Sequence, residues 1–192
     1  MSTVPDLNLV SIQDYLKAEL ESEVKHEYLG GVVLAMSGGR NRHNLVATNT
    51  CASLWSRLRG QRCRAFNSDT KVRVRMPGHT RFYYPDVLVA CHLNPPDDTY
   101  QDEPVLLAEV LSESTRRTDM GEKADAYRSI STLQIYLLIE PEIPAVVAFR
   151  RGDGGFEREV YQGLGSVVPL PFLGIELPLS EIYEAVAEQP AS

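Results

Sequence analysis

Cysteine is scarce in this chain: Cys51, Cys63 and Cys91 are the only three among 192 residues, and none forms a Cys-x-x-Cys pair. An odd, scattered set argues against a disulfide framework and against a zinc cluster. The three are expected as small buried hydrophobes, with no disulfide-linked partner. The four histidines, His26, His43, His79 and His92, lack His-x-x-x-His and His-Glu-x-x-His spacing, which removes zinc hydrolases of that type. Also missing are a Gly-x-Ser-x-Gly elbow, a Gly-x-x-x-x-Gly-Lys phosphate loop and a Gly-x-Gly-x-x-Gly dinucleotide fingerprint. No apolar run approaches the roughly 20 residues that span a bilayer, so no membrane association is expected. The segment Met1-Ser2-Thr3-Val4-Pro5-Asp6 has neither the basic start nor the apolar stretch of a secretory signal, and the expected location is the cytoplasm.

What is present is an ordinary globular composition, 43% hydrophobic and 23% charged. The length suits one domain. Within it, residues 1–40 supply an N-terminal helix and hairpin, 41–140 a catalytic core, and 141–192 a C-terminal hairpin and helix. The net charge of −7 disfavours indiscriminate coating of nucleic acid, which depends on neutralising phosphates. Its distribution is uneven. From Arg57 to Arg81 the basic residues Arg57, Arg59, Arg62, Arg64, Lys71, Arg73, Arg75 and Arg81 face one acid, Asp69. That sector reads equally as a phosphate-tracking surface and as a solvated helix end with an exposed strand face.

Along the chain, Ser11 with Asp14 three positions on opens a helix over Ile12 to Glu21. Gly30-Gly31 marks a hairpin turn between Glu27-Tyr28-Leu29 and Val32 to Met36. Asn41 to Arg59 reads as a second helix with an apolar stripe of Leu45, Ala52, Trp55 and Leu58. Strands are expected at about 62–67, 69–76, 83–91, 104–111, 134–139, 145–150 and 156–161, with a helix near 119–130 and a last one from Ser180 to Ala187. One strand-helix-strand crossover among antiparallel strands predicts an α/β or α+β fold, a mixed central sheet flanked by helices.

Two acids stand out because of their surroundings: Asp86 in Tyr83-Tyr84-Pro85-Asp86-Val87-Leu88-Val89-Ala90, and Glu109 in Val105-Leu106-Leu107-Ala108-Glu109-Val110-Leu111. Both runs read as buried strands. An ionised carboxylate there costs several kcal/mol unless a cation or several donors meet it. If the two strands are neighbours, about 4.8 Å apart, both carboxylates can converge on one hard divalent cation. Magnesium, or manganese, suits such oxygen ligands and would serve phosphodiester hydrolysis.

These residues resemble the PD-(D/E)XK nuclease superfamily, with Pro85-Asp86 as its first element and Glu109-Val110-Leu111 as its second. The superfamily's lysine would fall at position 111, where this chain has Leu111. The stretch from Glu109 to Lys123, followed by Tyr127 and Tyr136, is more narrowly similar to the Uma family of bacterial restriction-endonuclease-like proteins, in which the lysine moves to the next helix. Glu113 stands where that family often has proline. The resemblance implies a restriction-endonuclease-like fold and a metal-dependent endonuclease acting on DNA as a homodimer. By the same resemblance Asp86, Glu109 and Lys123 are catalytic, and Asp86, Glu109, the Val110 carbonyl and, more weakly, Glu27 are metal ligands. Ser112, Ser114, Thr115, Arg116 and Arg117, and more weakly His43, would contact substrate.

Blander readings accompany each. Glu109 can pair with Arg116 or Arg117; Lys123 beside Glu122 looks solvent-facing; Glu27 looks like a surface acid; the hydroxyls can simply cap a helix. Two other functions stay open: a non-catalytic nucleic-acid or protein binding module, motivated by Leu111 and the net charge, and an RNA or small-molecule phosphodiesterase.

Overall fold

The N-cap half of the capping box read at the N-terminus is formed: Ser11 Oγ accepts the Asp14 amide at 3.1 Å, while the Ser11 hydroxyl, rather than its backbone amide, donates to Asp14 Oδ2 at 2.7 Å. It opens α1 (Ile12–Glu21) in a computed structural model that describes residues 9–186. Strands β1 (His26–Leu29) and β2 (Val32–Ala35) follow, joined through Gly30 (φ 60°) and Gly31 (φ 108°), a turn that side-chain-bearing residues adopt only under strain.

Helix α2 (Asn41–Arg57) buries Val46, Thr50, Ser53 and Leu54. Of the expected stripe only Leu58, just beyond the helix, is fully buried, and Trp55 is 49% exposed. Thr50 fits an apolar face because its hydroxyl donates to the Val46 carbonyl at 2.7 Å, so no polar group is stranded.

Next come β3 (Arg64–Asn67), β4 (Lys71–Met76), β5 (His79–Tyr83), β6 (Val87–Ala90), β7 (Tyr100–Gln101) and β8 (Pro104–Val110). The expected strand at 83–91 is therefore shorter, reduced to β6, with Tyr83 ending β5, a strand the sequence reading did not include. Pro85 has no amide hydrogen to give a ladder, and the bend at Tyr84-Pro85-Asp86 separates β5 from β6. The expected helix near 119–130 is likewise two, α3 (Arg116–Met120) and α4 (Glu122–Arg128), parted at Gly121, where a Cβ would meet the Arg117 carbonyl at 2.9 Å. The rest is β9 (Ile135–Ile139), β10 (Ala145–Gly152), β11 (Gly155–Gln162), β12 (Val167–Leu170), β13 (Ile175–Pro178) and α5 (Leu179–Ile182). The β12–β13 pair was not expected. The last helix is shorter than the reading of Ser180 to Ala187, and Ala187 lies outside the described residues.

The strands form a six-stranded sheet, ordered β11-β10-β9-β8-β6-β3, and a five-stranded sheet, ordered β2-β1-β5-β4-β7. In the larger sheet β8 and β9 run parallel across the α3–α4 crossover, while β6 and β8 are antiparallel. The sheet is mixed, as expected. One face packs on α2 and the C-terminal elements through Val87, Val89, Leu106, Ala108 and Val110; the other packs on α4 and β4 through Leu88, Leu107, Ala124 and Tyr127. Alternation along each strand produces this division.

The cysteines correct the expectation that no disulfide is present: Cys63 and Cys91 are bonded to each other. The β3–β6 register pairs Arg64 with Ala90, which sets the two cysteines opposite each other one step further along. Spacing in sequence carries no trace of that register. Cys51 remains free and half-buried.

Candidate active site

Register decides whether the two acids meet. Val87 pairs with Ala108 and Leu88 with Leu107, so the antiparallel ladder, continued one step, sets Asp86 across from Glu109. Directly opposed residues share a face, here that of Leu88, Leu107 and Leu111. Asp86 occupies the bend before β6 rather than a strand, at the end of the sheet, where elements from both faces reach it.

Its two oxygens are held from different sides. The Val110 amide donates to Oδ2 at 2.7 Å, and His43 Nε2, on α2, lies 3.1 Å from Oδ1. An ionised carboxylate only accepts, so Nε2 carries the hydrogen of that bond. The bond raises the His43 pKa above its ordinary value, outweighing the opposing effect of burial. His43 Nδ1 is buried without a partner.

Glu109 is 4% exposed. Tyr127 donates its hydroxyl to Oε1 at 2.9 Å, and Lys123 Nζ lies 3.4 Å from the same oxygen. Burial pushes the Glu109 carboxyl well above the usual carboxylate range; Lys123 opposes this, and Asp86, Asp119 and Glu27 add to it. Tyr127, fully buried, has its own pKa raised by burial.

Lys123 is the centre of the cluster. Its amine lies 2.8 Å from Glu27 Oε1, 3.4 Å from Glu109 Oε1 and 3.6 Å from Asp119 Oδ1. Burial works against its charge, but Glu109, Glu27 and Asp119 together hold its pKa above the ordinary lysine value. Lys123 is 5% exposed, which overturns the solvent-facing reading, and the Glu27 side chain is 12% exposed rather than free on the surface. Asp119 is a member that sequence reading missed. It sits four residues before Lys123 on the same side of the helical segment, and that spacing was the available signal. Burial raises its pKa, with Lys123 opposing.

Three carboxylates, Glu27, Glu109 and Asp119, thus surround one lysine, and Asp86 stands across from Glu109 with His43 at its side, an excess of acidic groups over basic ones. Glu27 Oε1 and Asp119 Oδ1 are buried without a well-aligned hydrogen-bond donor, the amine standing near both but off the bond direction. Hard anionic oxygens short of positive charge fit a divalent cation such as magnesium. Among the described residues no three His, Cys, Asp or Glu side chains are placed to cage an ion by themselves. Magnesium is compatible with that, since it keeps several waters and takes only one or two carboxylates.

The loop after β8 is engaged otherwise. Ser112 Oγ lies 3.1 Å from Ser114 Oγ and 2.8 Å from Thr115 Oγ1, and it accepts the Thr115 amide. Arg116 forms a two-pronged pair with Glu140 at 2.7 and 2.6 Å, so it is not the partner of Glu109. Arg117 is exposed. Leu111, at the superfamily's usual lysine position, is packed in the core at 2% exposure.

A mixed sheet with a parallel crossover, helices on both faces and acids at the end of two adjacent strands defines the restriction-endonuclease-like class. A solved structure described as a putative nuclease belonging to DUF820, from Anabaena variabilis, shares this fold: TM-score 0.70 and 19% identity over 91% of this chain and 97% of that one. The chain belongs to the Uma2 family, described as "Putative restriction endonuclease", whose pattern matches residues 12–180. It is similar to two proteins of Synechocystis sp., uncharacterized protein slr1290 (28% identical, 93% of each chain) and uncharacterized protein sll1609 (30% identical, 73% of this chain and 80% of that one). No helix among the described residues is long and apolar enough to cross a membrane.

Proposed function

We propose that the chain is a magnesium-dependent endonuclease that hydrolyses DNA phosphodiester bonds. The observation that carries this reading is the opposition of Asp86 and Glu109 across β6 and β8 with the Lys123 amine beside Glu109. Asp86 and Glu109 would hold the ion, with the Val110 carbonyl joining them and Glu27 as a weaker ligand. The chemistry magnesium supplies when bound is polarisation of a phosphoryl oxygen and a more acidic water.

The chain's own groups do the rest. His43 and the Val110 amide fix the Asp86 carboxylate, and Tyr127 fixes Glu109. Lys123, kept charged by its three acidic neighbours, is suited to holding a water and offsetting negative charge as it builds on the phosphorus oxygens rather than to removing a proton. Cutting both strands would take two copies, hence a homodimer.

The test is cleavage of plasmid DNA by the purified chain with magnesium or manganese. Asp86→Asn and Glu109→Gln should each abolish cleavage while circular dichroism stays unchanged. Undiminished cleavage by either variant overturns the reading. A binding module is the second reading, favoured by the fact that Lys123 alone already offsets part of the acidic charge. Calorimetry separates the two: a module of that kind shows no divalent-ion site sensitive to Asp86→Asn.

A further inference from the structure

A groove of about 650 Å³ leads away from Asp86 along α2, lined by the apolar Ala47, Cys51 and Ala52 as well as by polar residues, and walled at its far side by Trp55. Trp55 also lines an adjoining hollow of about 200 Å³ together with Arg59 and Arg64. The Arg59 guanidinium stands over the Trp55 ring, 4.9 Å from its centre.

The basic sector, once its partners are known, separates into two groups. Arg57 is paired with Glu181, Arg73 and Arg75 with Asp102, and Arg81 with Glu122, while the Lys71 amine is buried against the Tyr84 hydroxyl. Arg59, Arg62 and Arg64 make no ion pair with a described carboxylate: Arg62 and Arg64 touch only backbone carbonyls, and Arg59 rests on Trp55. Within this sector, the guanidinium groups of Arg59 and Arg64, free of carboxylate partners among the described residues, line the hollow beside Trp55 where the groove ends.

We infer that this groove is the track of an unpaired nucleic-acid strand, with a base stacked on Trp55 and phosphates on Arg59 and Arg64, leading the strand to Asp86. An indole face offers stacking to a base only when that base is free of its duplex neighbours, and arginines beside an aromatic platform are the usual means of holding such strands. Asn44, Thr48, Asn67 and Ser68 offer hydrogen-bonding groups between platform and carboxylate, and Ala47, Cys51 and Ala52 give the groove an apolar floor against which sugars and bases can lie. The inference deepens the nuclease reading and rests on it, naming an unpaired segment as the form of substrate engaged.

Trp55 is the chain's single tryptophan, so its fluorescence reports on this place alone. Oligodeoxythymidylate is titrated into the full chain without added divalent ion, beside a duplex of equal length. The single strand should quench the emission and the duplex should not. Trp55→Ala, at an exposed position, should weaken single-strand binding roughly five- to hundredfold by anisotropy, and Trp55→Phe should restore most of it. Arg59→Gln and Arg64→Gln should each flatten the logarithmic salt dependence by about 0.7. Unchanged emission at saturation, or equal binding by Trp55→Ala, overturns the track. Cleavage without quenching removes the track alone; quenching without any metal-dependent cleavage removes the nuclease reading and leaves the track standing.

Discussion

Lys123 Nζ reaches Glu109 Oε1 at 3.4 Å from a helix rather than from the strand that carries the glutamate. Position 111, two residues after Glu109 and on the same face of β8, is filled by leucine. The amine therefore enters the acid cluster from α4, on the far side of the crossover loop. If location near Glu109 matters more than position in sequence, Leu111→Lys combined with Lys123→Met should recover part of the cleavage lost in Lys123→Met alone. Plasmid cleavage by the single and double variants checks this.

Removing Lys123 should be costly to the fold as well. Three buried carboxylates lose their shared cation, and leaving buried charge uncompensated costs about 3–5 kcal/mol. Urea denaturation of Lys123→Met should show that loss. Lys123→Arg, which keeps the charge, should recover most of the stability.

Tyr127 donates to Glu109 Oε1 from a fully buried position. Tyr127→Phe should cost about 1–3 kcal/mol, because a buried acceptor loses a donor that no water replaces. Cleavage should fall as well, since the Glu109 carboxylate would be less firmly oriented. Denaturation and initial rates measured on one preparation separate the two effects.

Away from the site, Asp102 supplies the pH dependence. Burial would raise its pKa, but hydrogen bonds from Arg73 and Asn94 prevail and hold it below the ordinary value of 3.8. A depressed folded pKa gives stability that is fully present above the unfolded value and lost as pH falls through the folded one. Asp102→Asn should therefore lower the denaturation midpoint at neutral pH and flatten its decline below about pH 4. A midpoint curve parallel to that of the wild type would contradict this.

The Cys63–Cys91 bond closes a loop of sequence separation 28, for which restriction of the unfolded chain gives about 2–4 kcal/mol. Cys63→Ser with Cys91→Ser should lower stability by that order. Thermal denaturation of the variant, set beside the oxidised wild type, measures it.

Much of the fold was legible in the sequence because local rules govern it. Ser11 with Asp14, and Gly30-Gly31, are signals a few residues long, and the structure honours both. The two apolar runs that carry Asp86 and Glu109 announced an unusual place for acids. What stayed hidden depends on pairing between distant segments. Cys63 meets Cys91 only through sheet register, and the Asp119–Lys123 pair, though four residues apart, comes beside Glu109 only through the packing of α3 and α4. The stripe on α2 was misread because Thr50 and Ser53, polar by type, satisfy their hydroxyls within the structure and so can face inward.

The acid cluster draws on α2, β1, the bend before β6, β8 and the α3–α4 segment, with Asp86 secured by a residue 43 positions earlier and by an amide 24 positions later. A chain still emerging during synthesis, or one that has partly melted, cannot assemble these groups. Competence of the cluster is therefore tied to completion of folding.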